Sequence, residues 1–285
     1  MKNPFLQAIL WLLLGWLPAA SAQPTAEPTT ADQGWQFSLA AGHGKISTPL
    51  SGRHALQGDV MPGVSYYGDN FYLENTHLGY SLLEQDHVYI DLVGELNEDG
   101  MFFEFDGVNN FGWWEAIGIN RTGGVESGGK PPATPGQFED IKRRLSYMAG
   151  ISSNFTANGS TFRVSYLQDI SGVHDGSELR LTLRQDWSWE KVQLQLQAGL
   201  ARKDQQLVNY YYNLRPYEIS GIPSWFELAS TWNYHFGATF VYQYDEHWAL
   251  LAHWQHQQLD RELLRSPLVR RADYQSRFVG VRYSF

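Results

Sequence analysis

The chain has 285 residues, an acidic formal net charge of −9 at pH 7 and no cysteine. The missing cysteines exclude disulfides and thiolate metal sites, and an acidic chain without a basic block is a poor candidate for binding nucleic acid. Aromatic residues are 15% of the chain and charged residues only 18%, and a chain of this length can form one barrel or one large domain.

The N-terminus has the pattern of a secretory signal peptide. Lys2 precedes the apolar run Phe5–Leu17, and the small residues Ala20–Ala22 follow it. A run of this length is short for a membrane-spanning helix, which needs about 20 apolar residues, but it suits a cleaved signal. We therefore predict a signal peptide, a flexible polar leader and a single barrel domain, over residues 1–22, 23–33 and 34–285.

Beyond the leader, apolar and polar side chains alternate along one segment after another. In Lys191–Ala201, for example, Val192 and Leu194 alternate with glutamines. A two-residue period is typical of a β-strand with one apolar face. Further segments of this kind begin at Trp35, Val88, Leu145, Phe162, Leu179, Trp232, Trp248 and Val279, with a weaker one near Val60–Tyr66.

The connections between these segments alternate between tight and long. A soluble sandwich, such as a secreted all-β binding protein, has no reason for this regularity, whereas outer-membrane barrels have short periplasmic turns and long outer loops. The sequence therefore predicts an all-β fold, a transmembrane antiparallel β-barrel with lipid against Leu194 and Leu196. The tight connections are Thr156–Ser160, Ser188–Lys191 and Asp245–Glu246, and the long ones are Asn97–Lys142, Ser171–Ser177, Asp204–Ser224 and Arg261–Ala272.

The number of strands must be even when both chain ends lie on the same side of the membrane. The alternation changes phase between Phe71–Leu73 and Leu78–Leu82, and a phase change needs a turn or a bulge. A turn near Asn75-Thr76 gives twelve strands. Ten strands is the alternative, if this hairpin and the weak segment near Val60–Tyr66 are not separate strands.

Aromatic side chains cluster beside the tight turns and at the C-terminus. They predict a girdle at the interface between lipid and water, where amphipathic rings are favoured. The chain ends with Val281, Tyr283 and Phe285 at alternate positions, which is similar to the signal that barrel-assembly machinery reads on an exposed terminal strand. The predicted girdle contains Phe155, Phe162, Trp187, Trp189, Tyr242, Tyr244, Trp248, Tyr283 and Phe285.

Two stretches resemble the MltA-interacting protein (MipA/OmpV) family of Gram-negative outer-membrane proteins. They are the C-terminal RSPLVRRADYQSRFVGVRYSF and the motif LVNYYYN, Leu207–Asn213, before a long aromatic strand. The resemblance runs over the mature chain and is strongest from about Arg143 onward, although Asn213 stands where the family often has glycine. It implies a non-enzymatic scaffold that links a peptidoglycan hydrolase, a lytic transglycosylase, to a peptidoglycan synthase in cell-wall maintenance.

Charged side chains on the polar faces of the strands predict a lumen of mixed charge. Isolated buried charges are unfavourable, so acids and bases should neutralise one another there. Such a network either fills the lumen or lines a narrow porin-like channel for small solutes, because wide water-filled pores use about 16 to 18 strands. The predicted lumen charges are Asp91, Glu95, Arg144, Arg163, Asp169, Arg180 and Arg184.

Catalytic and metal-binding patterns are less specific in this sequence. Ser171, His174 and Asp175 share one connection, but a catalytic triad is recognised by geometry rather than by sequence proximity. His253 and His256 would lie on opposite faces of a strand, so they should not share a metal ion. We therefore predict no catalytic residue, no metal and no cofactor.

The long connection Asn97–Lys142 is the richest candidate for recognition. Its Phe111, Trp113 and Trp114 lie among glycines, and exposed aromatics are typical binding anchors. The alternative is that these rings fold back over the lumen or join an outer girdle. The predicted partners are outer-membrane lipid, the barrel-assembly machinery, a lytic transglycosylase and a peptidoglycan synthase, but not nucleic acid, in the outer membrane of a Gram-negative bacterium.

Overall fold

The structure is a computed structural model that describes residues 33–104, 138, 141–215, 218 and 226–285. The predicted signal peptide and nearly all of the predicted leader lie outside the described residues. So do Phe111, Trp113 and Trp114 of the predicted recognition loop. Within the described part of the chain, no helix is both long and apolar enough to cross a membrane.

Twelve antiparallel strands form one closed barrel. Each strand pairs with the next one along the chain, and the barrel closes where the first strand pairs with the last. The prediction of twelve strands is therefore confirmed, and the ten-strand alternative is wrong. The strands are β1 (Gly34–Ile46), β2 (Leu56–Tyr67), β3 (Phe71–Glu74), β4 (His77–Gln85), β5 (Val88–Leu96), β6 (Tyr147–Ala157), β7 (Ser160–Asp169), β8 (Ser177–Trp189), β9 (Val192–Lys203), β10 (Thr231–Gln243), β11 (Trp248–Gln258) and β12 (Asp273–Ser284).

Alternation along each strand sorts the side chains between the two faces of the barrel wall. Outward positions carry exposed apolar side chains, such as Leu92, Ile151 and Leu250. The neighbouring inward positions carry buried polar side chains, such as Asp91 and Ser152. Successive residues of a strand point to opposite faces, so the outer face is an apolar belt around a polar interior.

A tight turn at Asn75-Thr76 separates β3 from β4. Asn75 adopts the left-handed conformation (φ +55°), which asparagine tolerates better than most residues. Its backbone N–H donates to the Val64 carbonyl at 2.8 Å, and its side-chain oxygen accepts from the Val64 N–H at 3.0 Å. The phase change in the sequence is therefore a turn, as predicted, and the weak segment near Val60–Tyr66 is the complete strand β2.

The connections give the barrel two different ends. At the tight-turn end, the strands are joined by the connections 68–70, 86–87, 158–159, 190–191 and 244–247. At the long-loop end, they are joined by the connections 47–55, 97–146, 170–176, 204–230 and 259–272, and by the short turn at 75–76. This separation agrees with the predicted pattern of tight and long connections, and it places the C-terminus at the tight-turn end.

An aromatic girdle surrounds the tight-turn end. Phe155 and Phe162 stack there with their ring centroids 6.4 Å apart. The girdle continues around β1 and β2, where Trp35 contacts Tyr66 at 5.1 Å between ring centroids. These two residues are additions to the girdle that was predicted from the tight turns. Exposed rings at one level of a barrel are typical of an interface between lipid and water.

The hydrophobic core lies at the long-loop end of the barrel. Among the described residues, three short helical segments pack there, namely α1 (Glu98–Glu104), α2 (Gln205–Tyr212) and the 3-10 helix Arg261–Arg265. We call these helices, with the segments 47–55, 141–146, 213–215, 226–230 and 259–272 that pack against them, the cap. Its buried apolar side chains are Leu50, Phe102, Phe103, Ile141, Leu207, Val208, Tyr211, Tyr212, Leu214, Leu228, Leu259, Leu263, Leu268 and Val269. These segments were predicted only as connections, and the cap they form was not predicted.

Leu196→Arg on the apolar belt is expected to lower the free energy of unfolding by about 2–4 kcal/mol, because a cation would face hydrocarbon near the middle of the wall. Gln195→Arg is the control, since Gln195 faces inward on the same strand and donates to Asp186 at 2.9 Å. Urea unfolding in lipid vesicles measures both variants. Equal destabilisation would show that the two faces of β9 do not differ in their surroundings.

Candidate functional site

An ion pair crosses the inside of the barrel. The guanidinium of Arg180 on β8 contacts Glu95 on β5, and its Nε donates to Glu178 at 2.5 Å. Because β6 and β7 lie between β5 and β8 in the wall, Glu95 and Arg180 meet inside the lumen. His77 Nδ1 lies 3.1 Å from the other oxygen of the Glu95 carboxylate. Two of the predicted lumen charges therefore neutralise each other directly.

The carboxylate of Asp91 is held by neutral donors on the inner face. Ser81 Oγ donates to it at 3.1 Å, Asn154 Nδ2 at 3.2 Å and the Tyr72 hydroxyl at 3.4 Å. Arg163 reaches this carboxylate through Asn154, because its Nε donates to Asn154 Oδ1 at 2.6 Å. The side-chain amide of Asn154 thus links the predicted charges Asp91 and Arg163. Strand alternation alone does not predict this link.

The lumen has two unlike walls. The charged wall, β5 to β8, carries the contacts of Glu95 and Asp91, and it adds Arg184, whose Nε donates to Asp186 at 2.8 Å. The amide wall, β9 to β11, carries glutamines, and Gln197 Nε2 donates to Gln255 Oε1 at 2.8 Å across β10. The interior is therefore polar along β5 to β11, and within this part its charges are concentrated on β5 to β8.

Two of the predicted lumen charges lie at the long-loop end of the barrel. Arg144 precedes β6 in the segment 141–146 and is exposed at the long-loop end. Asp169 ends β7 and folds the connection 170–176 around its carboxylate, which accepts from four backbone N–H groups of that connection at 2.7–3.0 Å. Arg144 lies outside the strands, so alternation does not place its side chain, whereas Asp169 keeps the inward phase of β7 and is buried at the end of that strand.

The residues of the SGVHDG connection do not assemble as a triad. Ser171 Oγ donates to Asp169 at 2.6 Å, and His174 Nε2 lies 3.0 Å from Ser146 Oγ. The structure thus brings His174 to a serine that lies 28 positions away in the sequence, and it directs Ser171 to a carboxylate. Only geometry assigns such partners.

The contact between His174 and Ser146 has the character of a structural hydrogen bond. The N–H of Gly176 donates to His174 Nδ1 at 2.9 Å, so Nδ1 carries no proton and Nε2 donates to Ser146. The Tyr211 hydroxyl donates to the same Ser146 oxygen at 3.0 Å. An activated serine would instead donate to its base. Ser146 is also buried, and it therefore holds β6, the 170–176 connection and α2 together.

Acidification is expected to destabilise the cap through His174. Burial lowers the pKa of His174, and nearby carboxylates, led by Asp169, offset this only in part. Histidine in an unfolded chain titrates near its ordinary pKa of about 6.5, so the unfolded state takes up the proton first and stability falls as the pH drops below that value. His174→Gln should flatten this part of the curve in urea unfolding between about pH 8 and pH 5. An unchanged slope would show that another group causes the loss.

A buried ion pair anchors the cap to the barrel. Lys203 at the end of β9 contacts Asp99 of α1 at 2.5 Å, and the Tyr212 hydroxyl of α2 donates to the same carboxylate at 2.6 Å. Burial and the nearby Asp99 raise the pKa of Tyr212 well above its ordinary value, so the phenol remains a donor. One carboxylate thereby joins a strand and both α-helices of the cap.

Arg143 anchors a second part of the cap. Its Nε donates to the Tyr210 carbonyl at 2.6 Å, and its two terminal nitrogens donate to the Glu218 carboxylate at 2.6 and 2.9 Å. Burial raises the pKa of Glu218, but the hydrogen bonds from Arg143 and the Arg215 backbone outweigh burial, so the pKa is lowered. A bidentate contact of this kind is strong and directional, and it ties the segment 141–146 to the connection 204–230.

The sequence carries a signal for part of the cap. Asp204 caps α2 by accepting from the Leu207 N–H at 3.0 Å. Leu207, Val208 and Tyr211 recur at helical spacing and are buried. An aspartate before apolar residues at this spacing predicts a short helix. The helix within the LVNYYYN motif could have been predicted in this way, although the contact between α2 and α1 could not.

The two histidines of β11 lie on opposite faces of the wall. His253 Nδ1 faces inward, 2.9 Å from Thr239 Oγ1, whereas the His256 ring lies outward, 5.2 Å from the Phe236 ring. Over the described ranges, no group of three or more His, Cys, Asp or Glu residues is suited to hold a metal ion. His253 thus contacts a hydroxyl inside the barrel, and His256 packs against a ring outside it.

The terminal residues of β12 face outward at the tight-turn end. Tyr283 contacts Trp248 at 4.8 Å and Phe285 at 5.0 Å between ring centroids. The Phe285 N–H donates to the Phe37 carbonyl at 3.0 Å, where β12 meets β1. Val281, Tyr283 and Phe285 thus lie along the seam that closes the barrel, which is where an assembly signal would act.

The chain is similar to the outer membrane protein YiaT of Escherichia coli, in both the O157:H7 and the K12 strains. In each case 23% of the residues are identical over 269 residues, which cover 94% of this chain and 97% of the relative. These relatives agree with the predicted outer-membrane location.

Two solved structures also align with most of the chain. The translocator domain of the autotransporter NalP from Neisseria meningitidis matches with a TM-score of 0.43 and 12% identity, over 90% of each chain. The NanC porin matches with a TM-score of 0.41 and 11% identity, over 87% of this chain and 98% of that chain. At these values neither likeness supports a statement about function.

The sequence model of one family covers nearly the whole barrel. The family described as MltA-interacting protein MipA matches residues 39–285, a range that begins within β1 and includes the other strands, the cap and the C-terminus. The resemblance inferred from the LVNYYYN motif and the C-terminal stretch is confirmed. The chain belongs to the MltA-interacting protein MipA family and is a β-barrel of the outer membrane.

Proposed function

We propose that this protein is a non-enzymatic scaffold in the outer membrane that holds a lytic transglycosylase and a peptidoglycan synthase together during cell-wall maintenance. The observation that carries the proposal is the family match over residues 39–285, because the family description names an interaction with MltA. MltA is a lytic transglycosylase, and its proposed partner in the complex is the synthase that replaces the material it removes.

The cap and the lumen contacts support a structural role. Helices α1 and α2 pack over the barrel at the long-loop end, and the Asp99–Lys203 pair ties them to the wall. Among the lumen charges, Glu95 and Arg180 contact each other, and Asp91 accepts hydrogen bonds from neutral donors. A barrel held in this way offers a rigid platform and little free charge to an interior ligand.

The tight-turn end offers a predominantly acidic surface to the periplasm. Its exposed acids are Asp69, Glu84, Asp86, Glu190, Asp245 and Glu246, and its exposed amino group is Lys191. Asp245 stays ionised because the N–H groups of Trp248 and His247 donate to its carboxylate and lower its pKa. This acidic rim suits a basic partner surface, since complementary charge favours encounter and register. We propose the rim as the surface for one of the two enzymes.

Affinity purification of the full-length protein from cell envelopes tests the scaffold. We expect a lytic transglycosylase and a peptidoglycan synthase to be retained together, and the triple variant Asp69→Asn/Glu190→Gln/Glu246→Gln to retain less of at least one. The control Asp59→Asn/Glu104→Gln/Glu227→Gln removes three exposed acids towards the long-loop end and should retain both enzymes. Recovery of neither enzyme with the wild type would contradict the proposal, and equal recovery with both variants would exclude the rim.

A narrow channel for small solutes is the second candidate function. The observation that favours it is the division of the lumen into a charged wall and an amide wall, because such an interior can pass polar solutes. Purified protein in planar bilayers should then show discrete conductance steps. Loosening the cap with Lys203→Met should increase them. Silence in both proteins would leave the scaffold as the supported function.

A further inference from the structure

Two basic side chains face outward beside each other near the long-loop end. Lys45 on β1 and Arg277 on β12 are directly opposite in the register of the two strands. The next outward residue of β12 is Val279, which is 65% exposed. Because strand side chains alternate between faces, Arg277 and its partner Lys45 share the outward face with Val279.

This basic pair has no acidic partner among the described ion pairs. The other cross-strand neighbour of Lys45 is Gln57, and that of Arg277 is Trp254. The nearby Asp59 is engaged with His43 at 3.3 Å. Like charges directly opposite each other destabilise a sheet, and an anion between them would offset this repulsion.

The pair lies at the boundary of the apolar belt nearer the long-loop end. Trp254 stands beside Arg277 on β11, and tryptophan is enriched where lipid tails give way to headgroups. Apolar Val279 and Val281 continue on the other side, towards the tight-turn end. Above the pair, Arg271 is exposed and donates to the Thr48 carbonyl at 3.2 Å. Lys45 on β1, Arg277 on β12 and Arg271 in the connection before β12 therefore place three cations where the belt ends.

We propose that Lys45 and Arg277, with Arg271 above them, bind a phosphate group of lipopolysaccharide on the outside of the barrel. Directly opposite residues have their Cβ atoms about 5 Å apart, so an ammonium and a guanidinium can reach the same phosphate. Arginine binds phosphate through two parallel hydrogen bonds and lysine as a point charge. The long-loop end lies in the outer leaflet in the orientation that the connection lengths predict, and phosphorylated glycolipid is the anion of that leaflet.

The test compares lipid binding by matched double variants. Full-length protein is placed in phosphatidylcholine nanodiscs and titrated with lipopolysaccharide or with phosphatidylglycerol. Lys45→Gln/Arg277→Gln should weaken lipopolysaccharide binding by roughly thirtyfold, because each basic residue near an anionic lipid surface contributes about one factor of five. Lys142→Gln/Arg144→Gln removes two exposed cations at the same end but before β6, and it should bind as the wild type does. Lys45→Arg/Arg277→Lys keeps both charges and should retain most of the binding.

The outcomes separate the alternatives. Selective loss in the Gln variant, with binding retained in the charge-conserving variant, supports the proposal. An equal loss of lipopolysaccharide binding in the Lys142/Arg144 control would show that general surface charge causes the effect, and it would overturn the proposal. Phosphatidylglycerol binding as tight as that of lipopolysaccharide would overturn the assignment to lipopolysaccharide. If the Gln variant does not fold, the wild-type protein still tests the proposal. Failure of the wild-type protein to bind lipopolysaccharide would contradict it directly.

Discussion

Lys203→Met is expected to lower the free energy of unfolding by about 3–5 kcal/mol, because removing one partner of a buried ion pair leaves a charge without compensation. Lys203 and Asp99 expose only 6% and 3% of their side chains. In the variant, the Asp99 carboxylate would keep the hydrogen bond from Tyr212 but would lose its cation. Since the pair joins β9 to α1, the cap should separate from the barrel first.

Arg202→Met is the matched control for Lys203→Met. Arg202 is the preceding residue of β9, carries the same charge and is exposed on the outer face, where a charge contributes less than about 1 kcal/mol. The double variant Asp99→Leu/Lys203→Met should recover most of the stability, because a whole buried pair is often replaced without loss. Urea unfolding in detergent micelles, followed by tryptophan fluorescence, measures all three. Similar curves for Lys203→Met and Arg202→Met would mean that the pair does not hold the cap.

A chain that lacks Phe285 is expected to assemble poorly in cells, while the barrels that do form should keep nearly their full stability. The Phe285 ring is 77% exposed, so it adds little packing to the finished barrel. The terminal strand β12 must nevertheless be presented for pairing before it can close against β1, and an exposed strand edge is what a pairing partner recognises. The amount of folded barrel in the outer membrane and its urea midpoint measure the two effects separately.

Phe155→Ala is the control for the removal of Phe285. Phe155 is also an exposed girdle residue of the tight-turn end, at 46%, but it lies in the middle of the chain. Its replacement should leave assembly largely unchanged. If both variants assemble equally poorly, the girdle as a whole is required rather than the terminal residue. A large fall in the urea midpoint of the chain that lacks Phe285 would show that this residue stabilises the finished barrel rather than directing its assembly.

The barrel wall could be predicted from the sequence because the direction of a strand side chain is a local property. Alternation around Val192 and Leu194 indicates an apolar and a polar face whatever lies beside the strand. The phase change at Asn75-Thr76 is equally local, and the left-handed asparagine there confirmed a turn. Strand number and closure followed from these local features, together with the requirement that both ends lie on one side, whereas the pairing register of the strands was not predicted.

The sequence predicts that charged side chains meet inside the lumen, but it does not predict which of them contact each other. The sequence indicates that Glu95 and Arg180 point inward, but their contact spans 85 positions of the chain, and it depends on how far β5 and β8 are brought together by closure. Asn154, which links Asp91 to Arg163, is as polar as its neighbours and carries no distinguishing pattern. Arg144 was placed in the lumen by alternation, but it precedes β6, where alternation no longer applies.

The sequence by itself determined the twelve-strand wall, its apolar outer face and its girdle, since each depends on short-range alternation and on turns. The cap was decided by the tertiary structure. Asp99 is paired with Lys203 across 104 positions, and Ser146 receives His174 and Tyr211 from separate connections. Burial in the closed mouth makes these polar contacts necessary, because an unpaired charge there would be strongly unfavourable. No local pattern specifies which residues meet once the barrel has closed.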